Sequence, residues 1–133
     1  MTATAALVEA LRGALAGREG IQLALLFGSL ARGEGGPDSD ADVAVLGSDL
    51  DLLGLAADLS AAAGRQVDVV DVADAGYPLL RALLRDAIVL HEGHPGAGAA
   101  WRTRAILETE TDRPWFERMR DAYLDHLAGG RRG

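Results

Sequence analysis

Gly28-Ser29 and, after ten further residues, Asp40-Ala41-Asp42 place a small-residue turn ahead of two carboxylates one residue apart. Glycine lets a backbone approach a phosphate closely, and N–H groups at a helix start suit an anion. Side chains alternate along a strand, so Asp40 and Asp42 project from one face. Like charges held that close repel unless a cation sits between them, and a divalent metal is the economical answer. A third carboxylate, Asp68, lies among valines in Arg65-Gln66-Val67-Asp68-Val69-Val70-Asp71-Val72. Burying it on a central strand is costly without a cation. If that strand lies beside the Asp40–Asp42 strand, three carboxylates converge on one spot. Such a triad suits two Mg²⁺ ions, one at a nucleophile and one on a nucleotide triphosphate, because magnesium binds through few carboxylates plus substrate phosphates. Two such ions stabilise the attacking and the leaving oxygen of an in-line phosphoryl displacement.

The elements that must position these groups follow from the pattern around them. Ile21-Gln22-Leu23-Ala24-Leu25-Leu26-Phe27 is an apolar run of strand length that ends at Gly28. Leu30 to Glu34 suits a turn or two of helix, Gly35 to Ser39 a turn, and Ala41 to Leu46 a second strand. Upstream, residues 3–17 carry apolar positions at helical spacing, ending at Gly17 to Gly20. Downstream, Ser48 or Asp49 is expected to cap a helix to about Ala63, with Leu52, Leu55, Ala56 and Leu59 on one face and Gly64 as its stop. Arg65 to Val72 reads as a third strand and Tyr77-Pro78 as the start of a helix to about Arg85. A short fourth strand is expected at Ala87 to Leu90, a loop over His91 to Gly98, and a last helix from about Ala99 to Leu127, bent or broken near Pro114. The expected fold class is α/β (α+β): a mixed sheet of about four strands flanked by helices, in one domain over 1–128, with 129–133 a loose tail.

Composition removes several alternatives. All thirteen basic residues are arginine, so neither a lysine-bearing Walker phosphate loop nor Schiff-base chemistry is available. There is no cysteine, which removes disulfides, thiol nucleophiles and zinc–thiolate sites and is compatible with the cytoplasm. No stretch approaches the roughly 20 apolar residues of a membrane span, and no basic segment leads into an apolar core at the start. A net charge of −7 argues against direct nucleic-acid binding and for a partner with a basic surface. With nearly half its residues hydrophobic, the chain has enough apolar surface to fold.

Taken together, Gly28-Ser29-Leu30-Ala31-Arg32-Gly33-Glu34, Ser39-Asp40-Ala41-Asp42-Val43 and Val67-Asp68-Val69-Val70 resemble the nucleotidyltransferase domain of the DNA-polymerase-beta superfamily. More narrowly, the chain resembles the minimal nucleotidyltransferase (MNT) antitoxins that partner HEPN-domain RNase toxins. The match covers about residues 21–72, the catalytic half. The resemblance implies that Gly28 and Ser29 bind nucleotide phosphates. It implies that Asp40 and Asp42 bind the catalytic metals, and that Asp68 holds the nucleophile-side metal and helps activate the attacking hydroxyl. Arg32 also falls in the matched segment, as a phosphate or partner contact or as a salt bridge that fixes the loop. The implied activity is transfer of AMP from ATP to a hydroxyl, a tyrosine of the cognate HEPN toxin, within a hetero-oligomer. A binding antidote acting by occlusion and a small-molecule nucleotidyltransferase are the alternatives. These 133 residues leave no room for a second, acceptor-binding domain, so the acceptor is expected to come largely from another protein.

Other residues carry plainer expectations. Asp38 reads as a turn residue and Asp71 as a cap or a solvated carboxylate. His91 and His94, without cysteine or a helix to present them, are not expected to bind metal. Trp101, Trp115, Phe116 and Tyr123 sit at helical spacing and read as core, with one exposed edge as the interface alternative. Arg102, Arg104, Arg118 and Arg120 read as a solvated face.

Overall fold

The computed structural model describes residues 3–130. Its order is α1 (Ala3–Leu15), β1 (Ile21–Phe27), β2 (Ala41–Gly47), α2 (Leu52–Ala63), β3 (Val67–Asp71), a single 3-10 turn (Val72–Asp74), α3 (Tyr77–Asp86), β4 (Ile88–Glu92) and α4 (Ala97–Gly130). The strands form one mixed sheet in the order β3-β2-β1-β4. β1 runs antiparallel to β2 and β4, while β2 and β3 are parallel, with α2 as their crossover. The expected class and strand number hold. β3 is an edge strand, however, and not the central one its valines suggested. Its valines pack on both faces, Val67 and Val69 with α1 and α2 and Val70 with α3 and α4, while Asp68 on that second face is exposed.

Alternation along the strands divides the core in two. Ala24 and Leu26 of β1, Val43 and Val45 of β2 and Val67 of β3 pack against Leu7, Leu11 and Leu15 of α1 and Leu55 and Leu59 of α2. Leu23 and Leu25 of β1 and Ala44 of β2 pack on the other face against Leu80 and Leu83 of α3 and Trp101 and Ala105 of α4. Asp42 and Asp68, each one residue out of phase with the first set, therefore belong to the α3–α4 face.

Several element ends differ from expectation for local reasons. The cap of α2 is Asp51, whose carboxylate accepts from the Gly54 N–H at 3.0 Å. Ser48, whose N–H donates to the Gly20 carbonyl at the end of β2, stands three residues ahead of the cap position, and Asp49 turns the chain at φ 53°. Gly64 closes the same helix in the left-handed region at φ 67°, as expected. Leu30 to Glu34 is not a helix: Arg32 N–H donates to Gly28, Glu34 N–H reaches Ser29, and Gly33 at φ 76° turns the chain away. His91 and Glu92 belong to β4 and not to a loop. The Glu92 carboxylate accepts from the Gly98 N–H at 2.8 Å, which satisfies a free donor at the start of α4.

α4 runs unbroken past Pro114 to Gly130. The proline withholds the N–H that would bond the Glu110 carbonyl, and Glu110 is exposed, so water can serve that carbonyl instead. Ala97, Trp101, Ala105 and Thr109 are buried at successive fours. Beyond them, Trp115 and Tyr123 are exposed and Phe116 is half-buried, so of the expected aromatic core only Trp101 lies in it. The sheet ends before α4 does. The tail expected over 129–133 lies, from residue 131 onward, outside the described residues. Among the described residues no helix is long and apolar enough to cross a membrane.

Candidate active site

The site residues gather where β1 ends and β2 and β3 begin. Pairing of Phe27 with Asp42 brings the Gly28 turn beside β2, and the parallel ladder sets Asp42 directly opposite Asp68. Asp40 stands two residues before Asp42, just ahead of the strand. Asp40 and Asp68 are exposed, whereas Asp42 is half-buried. Gly28 has φ 80°, and a Cβ built on it would lie 2.6 Å from Asp42 Oδ2. Only a residue without a side chain both adopts that backbone and leaves the Asp42 carboxylate its place.

The electrostatics follow from that crowding. Partial burial, then the charges of Asp68 and of Asp40, push the Asp42 carboxyl above its ordinary value. None of the three carboxylates has an ion-pair partner among the described residues. Asp68 Oδ1 accepts only from Gln66 Nε2, at 3.2 Å. An acceptor-only set that raises its own proton affinity fits a hard divalent cation. Magnesium needs one or two such oxygens, with the rest supplied by water and substrate phosphate. Among the described residues no group of three His, Cys, Asp or Glu side chains is placed to hold a metal ion.

Two second-tier residues were not singled out in the sequence. Arg65, just ahead of β3, donates from one guanidinium nitrogen to the Ser39 carbonyl at 3.0 Å and the Gly36 carbonyl at 3.3 Å. It thereby ties the turn before Asp40 to the strand that carries Asp68. Ser39 closes the same turn by accepting from the Gly36 N–H at 2.9 Å. Asp86, at the end of α3, accepts from Arg32 at 2.9 Å and from Arg85 at 3.0 Å, its side chain only 5 % exposed. Paired with both arginines, Arg85 first, the Asp86 carboxyl is held below its ordinary value. Arg32 also binds Glu34 at 3.0 Å. Arg32 therefore makes loop-fixing salt bridges, one of the roles open to it from sequence. An arginine before a strand and an aspartate ending a helix are too common to signal these roles without the fold. Asp71, as expected, acts as a cap: it accepts from the Ala73 N–H at 2.9 Å.

Known proteins share this fold. Residues 9–95 match the family described as polymerase beta, nucleotidyltransferase. No curated protein matches the sequence. Among solved structures, a toxin–antitoxin determined with AMP-PNP has a chain 25% identical with a TM-score of 0.70, covering 91% of this chain and 98% of that one. A mutant MntA toxin–antitoxin has one 26% identical with a TM-score of 0.64, covering 92% and 94%. The complex of a tri-AMPylated Shewanella oneidensis HEPN toxin with its MNT antitoxin has the same fold, at 24% identity and a TM-score of 0.62 over 95% and 96%. A family match across most of the chain, with the Gly28 turn and the carboxylates it crowds inside the matched span, leads to one conclusion: the chain belongs to the polymerase-beta nucleotidyltransferase family.

Proposed function

We propose that the protein is an MNT-type antitoxin that transfers AMP from ATP to a tyrosine hydroxyl of a cognate HEPN-domain toxin and so silences it. The observation that carries this reading is the convergence of Asp42 and Asp68 in one ladder position, beside Asp40 and against Gly28. Its context is the likeness to toxin–antitoxin structures, one of them with AMP-PNP. Asp40, Asp42 and Asp68 would hold Mg²⁺, which supplies Lewis-acid stabilisation of phosphate charge when bound.

The chain's own residues do the rest. The Gly28–Ser29 turn receives the triphosphate, and Arg32, held by Glu34 and Asp86, keeps that turn in place. Gln66 occupies Asp68 Oδ1 and leaves Oδ2 for the proton of the incoming hydroxyl. The hydroxyl oxygen bonds to the α-phosphorus, the bond from that phosphorus to the bridging oxygen breaks, and pyrophosphate leaves. The exposed position of Asp68 on an edge strand suits an acceptor delivered from outside the chain.

A second reading, neutralisation by occlusion alone, is favoured by the exposed apolar half of α4. One experiment separates the two. The protein is incubated with α-labelled ATP, Mg²⁺ and the product of the adjacent gene, beside an Asp40→Ala/Asp42→Ala variant. Label on the partner that disappears with the variant supports transfer. A tight complex without label, and full neutralisation by the variant, would establish occlusion instead.

A further inference from the structure

From Glu110 to Ala128 every side chain of α4 is exposed except half-buried Phe116, so about 30 Å of helix lies beyond the sheet it packs on. A helix that bare should be polar all round if it faces only water. It is not. Trp115, Met119, Tyr123 and Leu127 recur at successive fours and are 58%, 53%, 63% and 42% exposed. That spacing lays them along one slowly turning stripe. An exposed contiguous stripe of this kind marks an interaction surface.

Beside the stripe, the groove between α3 and α4 is lined by Arg81, Arg85 and Arg120 around Tyr77 and Phe116. Arg113 borders its neighbouring stretch. Glu117 and Glu110 share these linings, and Arg85, Arg113 and Arg120 pair with Asp86, Glu110 and Asp121, so four arginines face two carboxylates there and Arg81 is left unpaired, an excess of positive charge in a chain of net charge −7. Arg81 forms no ion pair among the described residues and instead lies over the Tyr77 ring, 5.8 Å from its centroid. Tyr77 stacks on Phe116 at 4.6 Å, and its buried hydroxyl has no hydrogen-bond partner. The free, exposed Arg81 guanidinium leaves hydrogen-bonding capacity in this groove that an incoming acceptor group would satisfy.

Resting on the proposed function, we infer that the stripe and the arginine groove together form the surface on which the protein acceptor docks. The acceptor presents apolar side chains to Trp115, Met119 and Tyr123 and an acidic segment to Arg81 and Arg120. Charge complementarity selects this occupant. A second copy of the chain would set the same arginines against themselves across a twofold axis. Nucleic acid offers phosphates but nothing for the apolar stripe. α3 and the buried start of α4 pack on the sheet face that carries Asp42 and Asp68, so the groove and the carboxylates lie on one side of the sheet.

The test measures affinity for the adjacent-gene product by titration calorimetry, using the full chain. Three variants are compared: Trp115→Ser/Tyr123→Ser, Arg81→Glu/Arg120→Glu, and Asp40→Asn/Asp42→Asn as the catalytic control. All changed residues of the first two are solvent-facing, and circular dichroism with an ATP-dependent thermal shift verifies that fold and nucleotide site survive. The expected result is a loss of at least tenfold in affinity for each of the first two, with the catalytic control unchanged. The salt dependence of binding should flatten in the arginine variant. Wild-type affinity in both surface variants would overturn the docking surface while leaving the proposed activity standing. Self-association in sedimentation that these substitutions abolish, or binding of a labelled RNA that they abolish, would overturn it in favour of that occupant. Failure of the catalytic control to lose AMP transfer, with docking mapped as stated, would instead overturn the proposed function alone.

Discussion

Gly28 and Asp42 are packed so closely that the Cβ of any other residue at 28 would meet Asp42 Oδ2 at 2.6 Å. The phosphate-side turn and the metal-side carboxylate are thus one steric unit, although thirteen residues separate them in the chain. Gly28→Ala adds a side chain where φ is 80° and pushes the Asp42 carboxylate aside. The expected cost is about 1–3 kcal/mol of stability from the left-handed backbone, read by urea unfolding. AMP transfer should fall further than stability does, since the carboxylate is displaced in the molecules that remain folded.

Replacing Asp40 and Asp42 by asparagine keeps the shape of the site and removes two of its three negative charges. Transfer of label from α-labelled ATP should drop by about 10³-fold or more, the scale of losing several kcal/mol of charge stabilisation. An effect smaller than tenfold would count against these residues as metal ligands.

Asp42 also gives the fold a pH signature. Its folded pKa lies above the ordinary 3.8 because of burial and then of Asp68 and Asp40. Between those two values the folded state keeps a proton that the unfolded state has lost, so stability decreases as pH rises through that window. In metal-free buffer Asp42→Asn should therefore melt at a higher temperature than the wild type near neutral pH, and the two should converge towards about pH 3. Mg²⁺ should raise the wild-type Tm and narrow the gap. A gap indifferent to Mg²⁺ would argue that no cation binds there.

Asp86 sits far from the motif in sequence, yet it anchors Arg32 behind the Gly28–Ser29 turn. Asp86→Asn leaves Arg32 with Glu34 alone and loosens the turn without touching the carboxylates. Steady-state kinetics should show a several-fold rise in KM for ATP with a smaller change in kcat. A fall in kcat at constant KM would place Asp86 in some other role.

The parts of this protein that were legible in sequence are the ones governed by local rules. The Ile21–Phe27 run, the Gly64 stop, the Pro78 start and the alternation that sets Asp42 and Asp68 opposite the helix-packed valines all depend on a few neighbouring residues. The cap of α2 lies two or three residues beyond the expected Ser48 or Asp49, because a strand-end hydrogen bond from the Ser48 N–H to Gly20 holds that stretch to the sheet and delays the helix start, which no local pattern announces. The helix expected after Ser29 failed for a similar reason: Gly33 takes a left-handed turn there.

By itself, the sequence determined the residue types of the site, its lack of lysine and cysteine, and the α/β pattern, since these rest on composition and on periods of two and of three to four residues. Only the tertiary structure decided that β3 is an edge strand, that Arg65 and Asp86 brace the site, and that the aromatic residues after Trp101 face solvent. Each of those depends on which element lies beside which, and pairing between distant segments is set by the packing of the whole core rather than by any window of the chain.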